Sequence, residues 1–243
     1  HGAAAPQYPH PFPTRRSSDL TRASRKQGIP IGERTERRLW HPARYEGFES
    51  SDNVIYVGAA PNQHVVPLVR HMLDHISGDV FCIGSNYVWT WETNRVVREI
   101  VTSAGGRVLA ERLLELGETA VDHIVKEVID RKPPVVFNTL VGESSYAFMR
   151  ALHVAATRAN LSIPMLSCSM CEPELRLIGP AASDGCITSS AYFESIEGSE
   201  NRAFGERGKA RHGADRTRSV SGHTPDSCVM VLWRATLPAG AAP

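Results

Sequence analysis

The chain has 243 residues and a formal net charge of +1 at pH 7, from 27 Lys and Arg residues against 26 Asp and Glu residues. That balance argues against nucleic acid or an anionic membrane as the main partner. No apolar run approaches the roughly 18 residues that a membrane-spanning helix needs, so we predict no membrane insertion. The 5 cysteines have no framework spacing, which makes a disulfide scaffold improbable at this length.

The first 20 residues lack hydrophobic periodicity and end in the heptapeptide TRRSSDL at residues 14–20. This heptapeptide looks like the in-frame translation of a common sequencing-library adapter. We therefore predict that residues 1–20 are a non-native or disordered extension that contributes nothing to the fold. The stretch also lacks the basic-then-apolar order of a signal peptide.

From residue 53 to residue 192, short apolar runs alternate with helical patterns. Strands are predicted at 54–57, 80–83, 107–113, 135–140, 163–167 and 185–192, and helices at about 65–73, 92–103, 119–131, 144–159 and 172–178. Such alternation predicts right-handed βαβ units, and hence an α/β fold with a doubly wound parallel sheet. From about residue 213 the pattern dissolves, and we predict an irregular tail over 213–243 of the kind that a frameshift produces.

A series of short blocks gives the middle of the chain a more specific character. In chain order they are ASRK (23–26), WHP (40–42), YEGFE (45–49), GAAPNQ (58–63), GSNY (84–87), ETN (92–94), NTLVG (138–142), YFESI (192–196) and ENRAF (200–204). Together they resemble the type I periplasmic binding proteins, and most closely the branch that binds urea and short-chain amides. That branch includes ABC-transporter solute receptors and an amide-sensing regulator of amidase expression. Several blocks in one order are far more specific than any single block.

The resemblance implies two doubly wound lobes that are joined by crossovers and hold ligand in the cleft between them. It divides the chain into a partial lobe one with a crossover (21–77), a Rossmann-like lobe two (78–191), and a return crossover with a helix (192–212). Most of lobe two and only part of lobe one are then present. We therefore expect a truncated fragment with uncovered apolar faces, unstable or prone to aggregation.

The loop after the predicted strand 80–83 is the main candidate for ligand binding, because ligands of open α/β sheets lie beyond the carboxyl ends of the strands. Tyr87 matches a family tyrosine and offers both a ring face and a hydroxyl. Ser85 and Asn86 can donate or accept hydrogen bonds from the same loop. Trp89 could close an apolar wall, whereas Trp91 is expected to pack at the start of the next helix. The alternative is that Tyr87 and Trp89 only cap the sheet.

Two further clusters complete the candidate site. His41 and Tyr45 lie where the family places ligand contacts from lobe one, although His41 stands where a tyrosine is usual. Arg44, in the same cluster, is either a carboxylate ligand or a surface residue.

The last cluster follows the predicted strand 135–140 and consists of Val141, Gly142 and Glu143. Gly142 permits close approach of the backbone to a ligand. Glu143 either accepts a hydrogen bond from a ligand NH₂ group or favours the start of the next helix through the helix dipole.

The resemblance therefore implies the solute-binding component of an ABC transporter for urea, short-chain amides or similar small polar ligands. We expect a periplasmic protein with an ABC permease as partner, with no cofactor, metal or catalytic residues. The alternatives are a cytoplasmic amide-sensing regulator and, more distantly, an amidohydrolase-like enzyme. The pair His71 and His75 is interpreted as a solvated helix face rather than a metal site, and Cys168 and Cys171 as small buried thiols.

Overall fold

A computed structural model describes residues 22–41, 45, 49–56 and 58–213 of the chain. The extension predicted at 1–20, the cationic side chain of Arg44 and nearly all of the tail predicted at 213–243 lie outside the described residues. None of the helices in the described part is long and apolar enough to cross a membrane.

The described elements follow one another as strand and helix through most of the chain. They are α1 (Arg22–Arg34), β1 (Leu39–His41), β2 (Val54–Tyr56), α2 (Pro61–His75), β3 (Asp79–Ser85), α3 (Val88–Ser103), β4 (Arg107–Leu114), α4 (Asp122–Arg131), β5 (Val136–Thr139), α5 (Glu143–Arg158), β6 (Met165–Ser167), α6 (Glu172–Ile178), α7 (Pro180–Ser183), β7 (Cys186–Thr188) and α8 (Ser199–His212).

The strands form two separate parallel sheets. The larger has five strands in the order β4-β3-β5-β6-β7, and the smaller consists of β1 and β2. In the larger sheet Ile83 pairs with Arg112 on one side and with Asn138 on the other, which places β3 in the interior. The predicted α/β fold with a doubly wound parallel sheet is confirmed.

Helices cover both faces of the five-stranded sheet, as parallel sheets require. Successive side chains of a strand point to opposite faces. Phe81 and Ile83 accordingly pack into a core cluster with residues of α4 and α5, whereas Val80 and Cys82 pack into a second cluster with residues of α2 and α3. This two-sided burial explains why the strands appear in the sequence as continuous apolar runs rather than alternating ones.

Helix α2 belongs with the five-stranded sheet. Its residues Val65, Leu68 and Met72 are buried in the same cluster as Val80 of β3. We had grouped α2 with the partial lobe one in the span 21–77. The apolar face of α2 is buried on the larger sheet, and the division of the chain into lobes stays a prediction.

The strand β3 is longer than predicted and the following loop is shorter. We expected a break at Gly84 and a helix from about residue 92, but β3 continues to Ser85 and α3 begins at Val88. Gly84 is a close-approach position and not a strand break, since a Cβ there would collide with Thr90 Cγ2 and Thr139 Oγ1. At the far edge, β7 covers only Cys186–Thr188 of the predicted 185–192.

Candidate functional site

The five-stranded sheet reverses its winding direction between β3 and β5. The chain passes from β3 through α3 to β4 on one side, and then crosses back through α4 to β5 on the other side. The loops after β3 and β5 therefore leave the sheet toward opposite faces and open a crevice at its carboxyl edge. Crevices at such switch points are the usual ligand sites of open α/β sheets.

Ser85 joins the two loops across this crevice. Its hydroxyl oxygen accepts a hydrogen bond from the backbone N–H of Val141 at 3.1 Å, and the Ser85 side chain is fully buried. The side chain thus holds the end of β3 to the start of the loop after β5. A contact between Ser85 and ligand remains a prediction.

Asn86 braces the loop after β3. Its backbone N–H donates to Leu114 O at 2.6 Å, and its side-chain amide donates to Glu115 Oε1 at 2.8 Å. The amide oxygen accepts from the indole N–H of Trp91 at 3.0 Å. These bonds tie β4 and α3 to a loop of two residues and leave Tyr87, which is half-buried, at the start of α3.

A buried polar network lies beneath the loops. The Thr90 hydroxyl donates to Thr139 O at 3.2 Å, and Thr139 Oγ1 lies 3.1 Å from Ile83 O and 3.0 Å from Asn94 Oδ1. The amide of Asn94 in turn donates to Glu111 Oε1 at 3.0 Å. Sequence reasoning missed this network, although the polar residues on an otherwise apolar helix face were a signal. Satisfied buried networks of this kind hold a site rigid.

The loop after β5 presents backbone rather than side chain. Gly142 is exposed, has a φ of 57°, and has no atom within 4 Å of the place where a Cβ would lie. Positive φ is the conformation that glycine adopts without strain. Val141 is half-buried and Glu143 is exposed in the first turn of α5, where a negative charge is favoured by the helix dipole.

The loop after β6 lies beside the loop after β5 at the same edge of the sheet. The Ser167 hydroxyl donates to Asn138 O at 2.9 Å, and Ser169 Oγ lies 3.1 Å from Ser167 Oγ and 3.4 Å from Leu140 O. Ser169 is half-buried and is an additional candidate for ligand contact. Cys168 and Cys171 are both buried, so their interpretation as buried thiols is confirmed.

The two tryptophans at the start of α3 differ from expectation in their exposure to solvent. Trp89 is 4% exposed and packs in the core cluster of α2, α3 and the sheet, so the structure places its indole in the core and not along the crevice. Trp91, which we expected to pack at the helix start, is 51% exposed. Because α3 begins at Val88, residues two apart lie on opposite sides of its first turn.

His41 lies in a buried cluster on the small sheet. Its side chain is 1% exposed, and its Nε2 atom is 2.9 Å from Nη1 of Arg25, which is fully buried. Arg25 also forms an ion pair with Glu49. A guanidinium only donates, so the Nε2 atom of His41 is the acceptor. The Arg25 contact therefore occupies the imidazole edge that we expected to meet ligand.

Tyr45 and Tyr56 complete this cluster. The Tyr45 hydroxyl donates to Glu49 O at 2.5 Å, and its ring meets the Tyr56 ring edge-on with centroids 4.9 Å apart. Burial, followed by the nearby Glu49 charge, raises the pKa of Tyr56 to about 12. His41 and Tyr45 thus sit in a charged core at β1 and β2, whereas the other candidates line the carboxyl edge of the larger sheet.

A doubly wound parallel sheet with polar loops at its switch point is the architecture in which many α/β proteins bind ligands. The chain belongs to the family described as periplasmic binding protein domain, whose model matches residues 19–241. This family consists of binding proteins, which confirms at the level of the family that the chain is not an enzyme.

Solved structures of solute-binding proteins share the fold. One from Rhodopseudomonas palustris BisB5, in complex with 3,4-dihydroxybenzoic acid, is 16% identical with a TM-score of 0.72 over 86% of this chain and 57% of its own. A branched-chain amino acid ABC transporter protein from Thermus thermophilus with bound valine is 13% identical, with a TM-score of 0.71 over 88% of this chain and 58% of its own. A leucine-, isoleucine-, valine-, threonine- and alanine-binding protein from Brucella ovis is 17% identical, with a TM-score of 0.65 over 84% and 52%. The chain therefore spans a little over half the length of these proteins.

Proposed function

We propose that the chain is part of the solute-binding protein of an ABC transporter, located in the periplasm and delivering its ligand to an ABC permease. The observation that carries the proposal is the crevice at the β3–β5 switch point, which the hydrogen bond between Ser85 and Val141 holds in place. The loops that follow β3, β5 and β6 all open at this edge. Ligand would lie there and be covered by a second lobe through hinge closure.

The division into lobes supports a cleft of this kind. We propose that α1, β1 and β2 are a piece of lobe one, that the five-stranded sheet with its helices is lobe two, and that residues 192–212 form the return crossover and its helix. We propose a boundary between the lobes at about residue 60 rather than residue 77, and the packing of α2 on the larger sheet supports it. The expected instability of the isolated piece stays a prediction.

The charges in the loops that follow β3, β5 and β6 favour a neutral or cationic ligand. Residues 86–87, 140–143 and 168–171, which follow the three strands, include a single charged side chain, the carboxylate of Glu143. A ligand carboxylate, as in the benzoates and amino acids bound by the solved proteins, would find no cation in these loops. An amide or urea NH₂ group can donate to Glu143, whereas its carbonyl oxygen can accept from the Tyr87 hydroxyl or from a backbone N–H.

We therefore propose urea or a short-chain amide as the ligand. The test is calorimetry on a full-length version of the protein, with both lobes, using urea, formamide, acetamide, benzoate and valine. We expect binding of urea or an amide and none of benzoate. Tyr87→Phe removes only the hydroxyl and Tyr87→Ala removes the ring as well, so the pair separates hydrogen bonding from stacking.

The role of the Glu143 charge is tested by comparing two acidic residues that each lie in the first turn of a helix. Glu143→Gln should weaken binding of the amide, whereas Asp122→Asn, which changes an exposed acid in the first turn of α4, should not. Binding of benzoate in place of the amides would overturn the assignment of ligand and keep the solute-binding function. Failure of all these small molecules to bind would count against both.

A further inference from the structure

The outer face of α2 carries two histidines that the proposed function does not use. His71 and His75 lie one helical turn apart, and both side chains are exposed. Their ring centroids are 4.5 Å apart and their ring planes differ by 23°. Two imidazoles at positions i and i+4 present their nitrogens on one helix face, which is the spacing that helical zinc sites use.

A backbone contact fixes the proton of one of these rings. Nδ1 of His75 lies 3.1 Å from the carbonyl oxygen of His71. A carbonyl oxygen only accepts, so Nδ1 carries the proton and Nε2 keeps a lone pair that points away from the helix. Metal-binding histidines are oriented in the same way, by a second-shell hydrogen bond from the nitrogen that does not bind the metal.

The sequence favours a solvated helix face for this pair, but on the contact between His75 and the His71 carbonyl we propose that the two residues form an open site for a divalent transition metal such as Zn²⁺, with water completing the coordination. Imidazole is a ligand that suits Zn²⁺, Cu²⁺ and Ni²⁺, whereas Mg²⁺ and Ca²⁺ prefer oxygen. Within the described residues no group of three or more His, Cys, Asp or Glu side chains could hold a metal ion. The site therefore has two protein ligands and is independent of the crevice. With the His75 ring held by the His71 carbonyl, only the exposed His71 ring needs to rotate for one of its nitrogens to reach an ion bound at Nε2 of His75, at about 2.0–2.1 Å.

The test is calorimetric titration of the whole chain, stripped of metal by a chelator, with Zn²⁺ at pH 7.5. Loss of a second-shell partner typically weakens a metal site about 10–100-fold, so His71→Ala and His75→Ala should each weaken this site more than about tenfold. The control is His153→Ala. His153 is exposed on α5, and the positions one turn away, Met149 and Thr157, cannot supply a second imidazole.

The chain has 10 histidines, so total Zn²⁺ uptake alone does not identify the site. NMR spectra with Ni²⁺ should show paramagnetic broadening centred on α2 in the unaltered chain and in His153→Ala, and none there in His75→Ala. Affinity for Zn²⁺ should also fall as the pH is lowered, because protons compete for the imidazole nitrogens. Equal Zn²⁺ affinity in all four proteins, or broadening that avoids α2, would overturn the proposal.

Discussion

The side chain of Ser85 and the backbone of Val141 meet at the point where the sheet reverses its winding. Ser85 Oγ accepts the N–H of Val141 at 3.1 Å, and the Ser85 side chain is fully buried at that point. The two residues are 56 positions apart in the chain, so the bond joins loops that only the sheet brings together.

Replacing Ser85 with Ala should therefore loosen the crevice. The substitution removes the acceptor of the half-buried Val141 N–H, and loss of a typical hydrogen bond costs about 0.5–1.5 kcal/mol. Guanidinium unfolding measures this loss, and ligand affinity should fall with it. Ser162→Ala, at an exposed loop position, is the control and should leave the midpoint of unfolding unchanged. A stable Ser85→Ala variant with unaltered ligand affinity would contradict the role of this bond.

Gly84→Ala should destabilise the fold although it adds only one methyl group. The new Cβ would collide with Thr90 Cγ2 and Thr139 Oγ1, both of which belong to the buried network. Overpacking of this kind costs about 1–3 kcal/mol. Thermal unfolding compares it with Gly28→Ala in α1, where no atom lies within 4 Å of the new Cβ. Since alanine is favoured over glycine inside a helix, the Gly28 variant should be as stable as the original chain or more so.

Arg25→Met should be far more harmful than removal of a surface arginine. Arg25 is fully buried and its ion-pair partner Glu49 is 6% exposed, so the change leaves a buried carboxylate without its ion-pair partner. Breaking a buried ion pair by removing one partner costs about 3–5 kcal/mol. Arg107→Met breaks the pair with Asp79, in which the arginine is 74% exposed, and should barely move the unfolding midpoint. Similar losses for the two variants would show that burial of the Arg25 cluster does not matter.

Stability should fall between about pH 10 and pH 12 in part because of Tyr56. Its pKa is about 12 in the folded chain against 10.0 for a free tyrosine, so in this window the unfolded chain loses the proton while the folded chain keeps it. Deprotonation then favours the unfolded state, and the contribution is present in full only below pH 10. Burial also raises the pKa of Cys82 to about 12 and that of Cys186 to about 11, so the measurement is the difference between the original chain and Tyr56→Phe. The Phe variant should lose stability less steeply as the pH rises.

The architecture of the larger sheet could be predicted from the sequence because its interior strands are short apolar runs and the helices α2 to α5 have an amphipathic period. The close packing at Gly84 and the exposure of Trp89 and Trp91 could not be predicted in this way. A glycine after an apolar run indicates either a turn or a close contact, and only the register of β3 against Thr139 of β5 decides between them. The start of α3 at Val88 then determines which indole is buried.

The sequence by itself determined the fold class and the family, and it predicted the loops at which a ligand would lie, because these depend on patterns within one segment or on blocks in order. Only the tertiary structure decided which of the candidate side chains are available in those loops. It places Tyr87, Gly142 and Glu143 at one edge of the larger sheet. Ser85 and Asn86 form hydrogen bonds within the protein that hold the loops in place. His41 is buried against Arg25. Burial and hydrogen bonding depend on neighbours that are distant in the chain, and no local pattern records them.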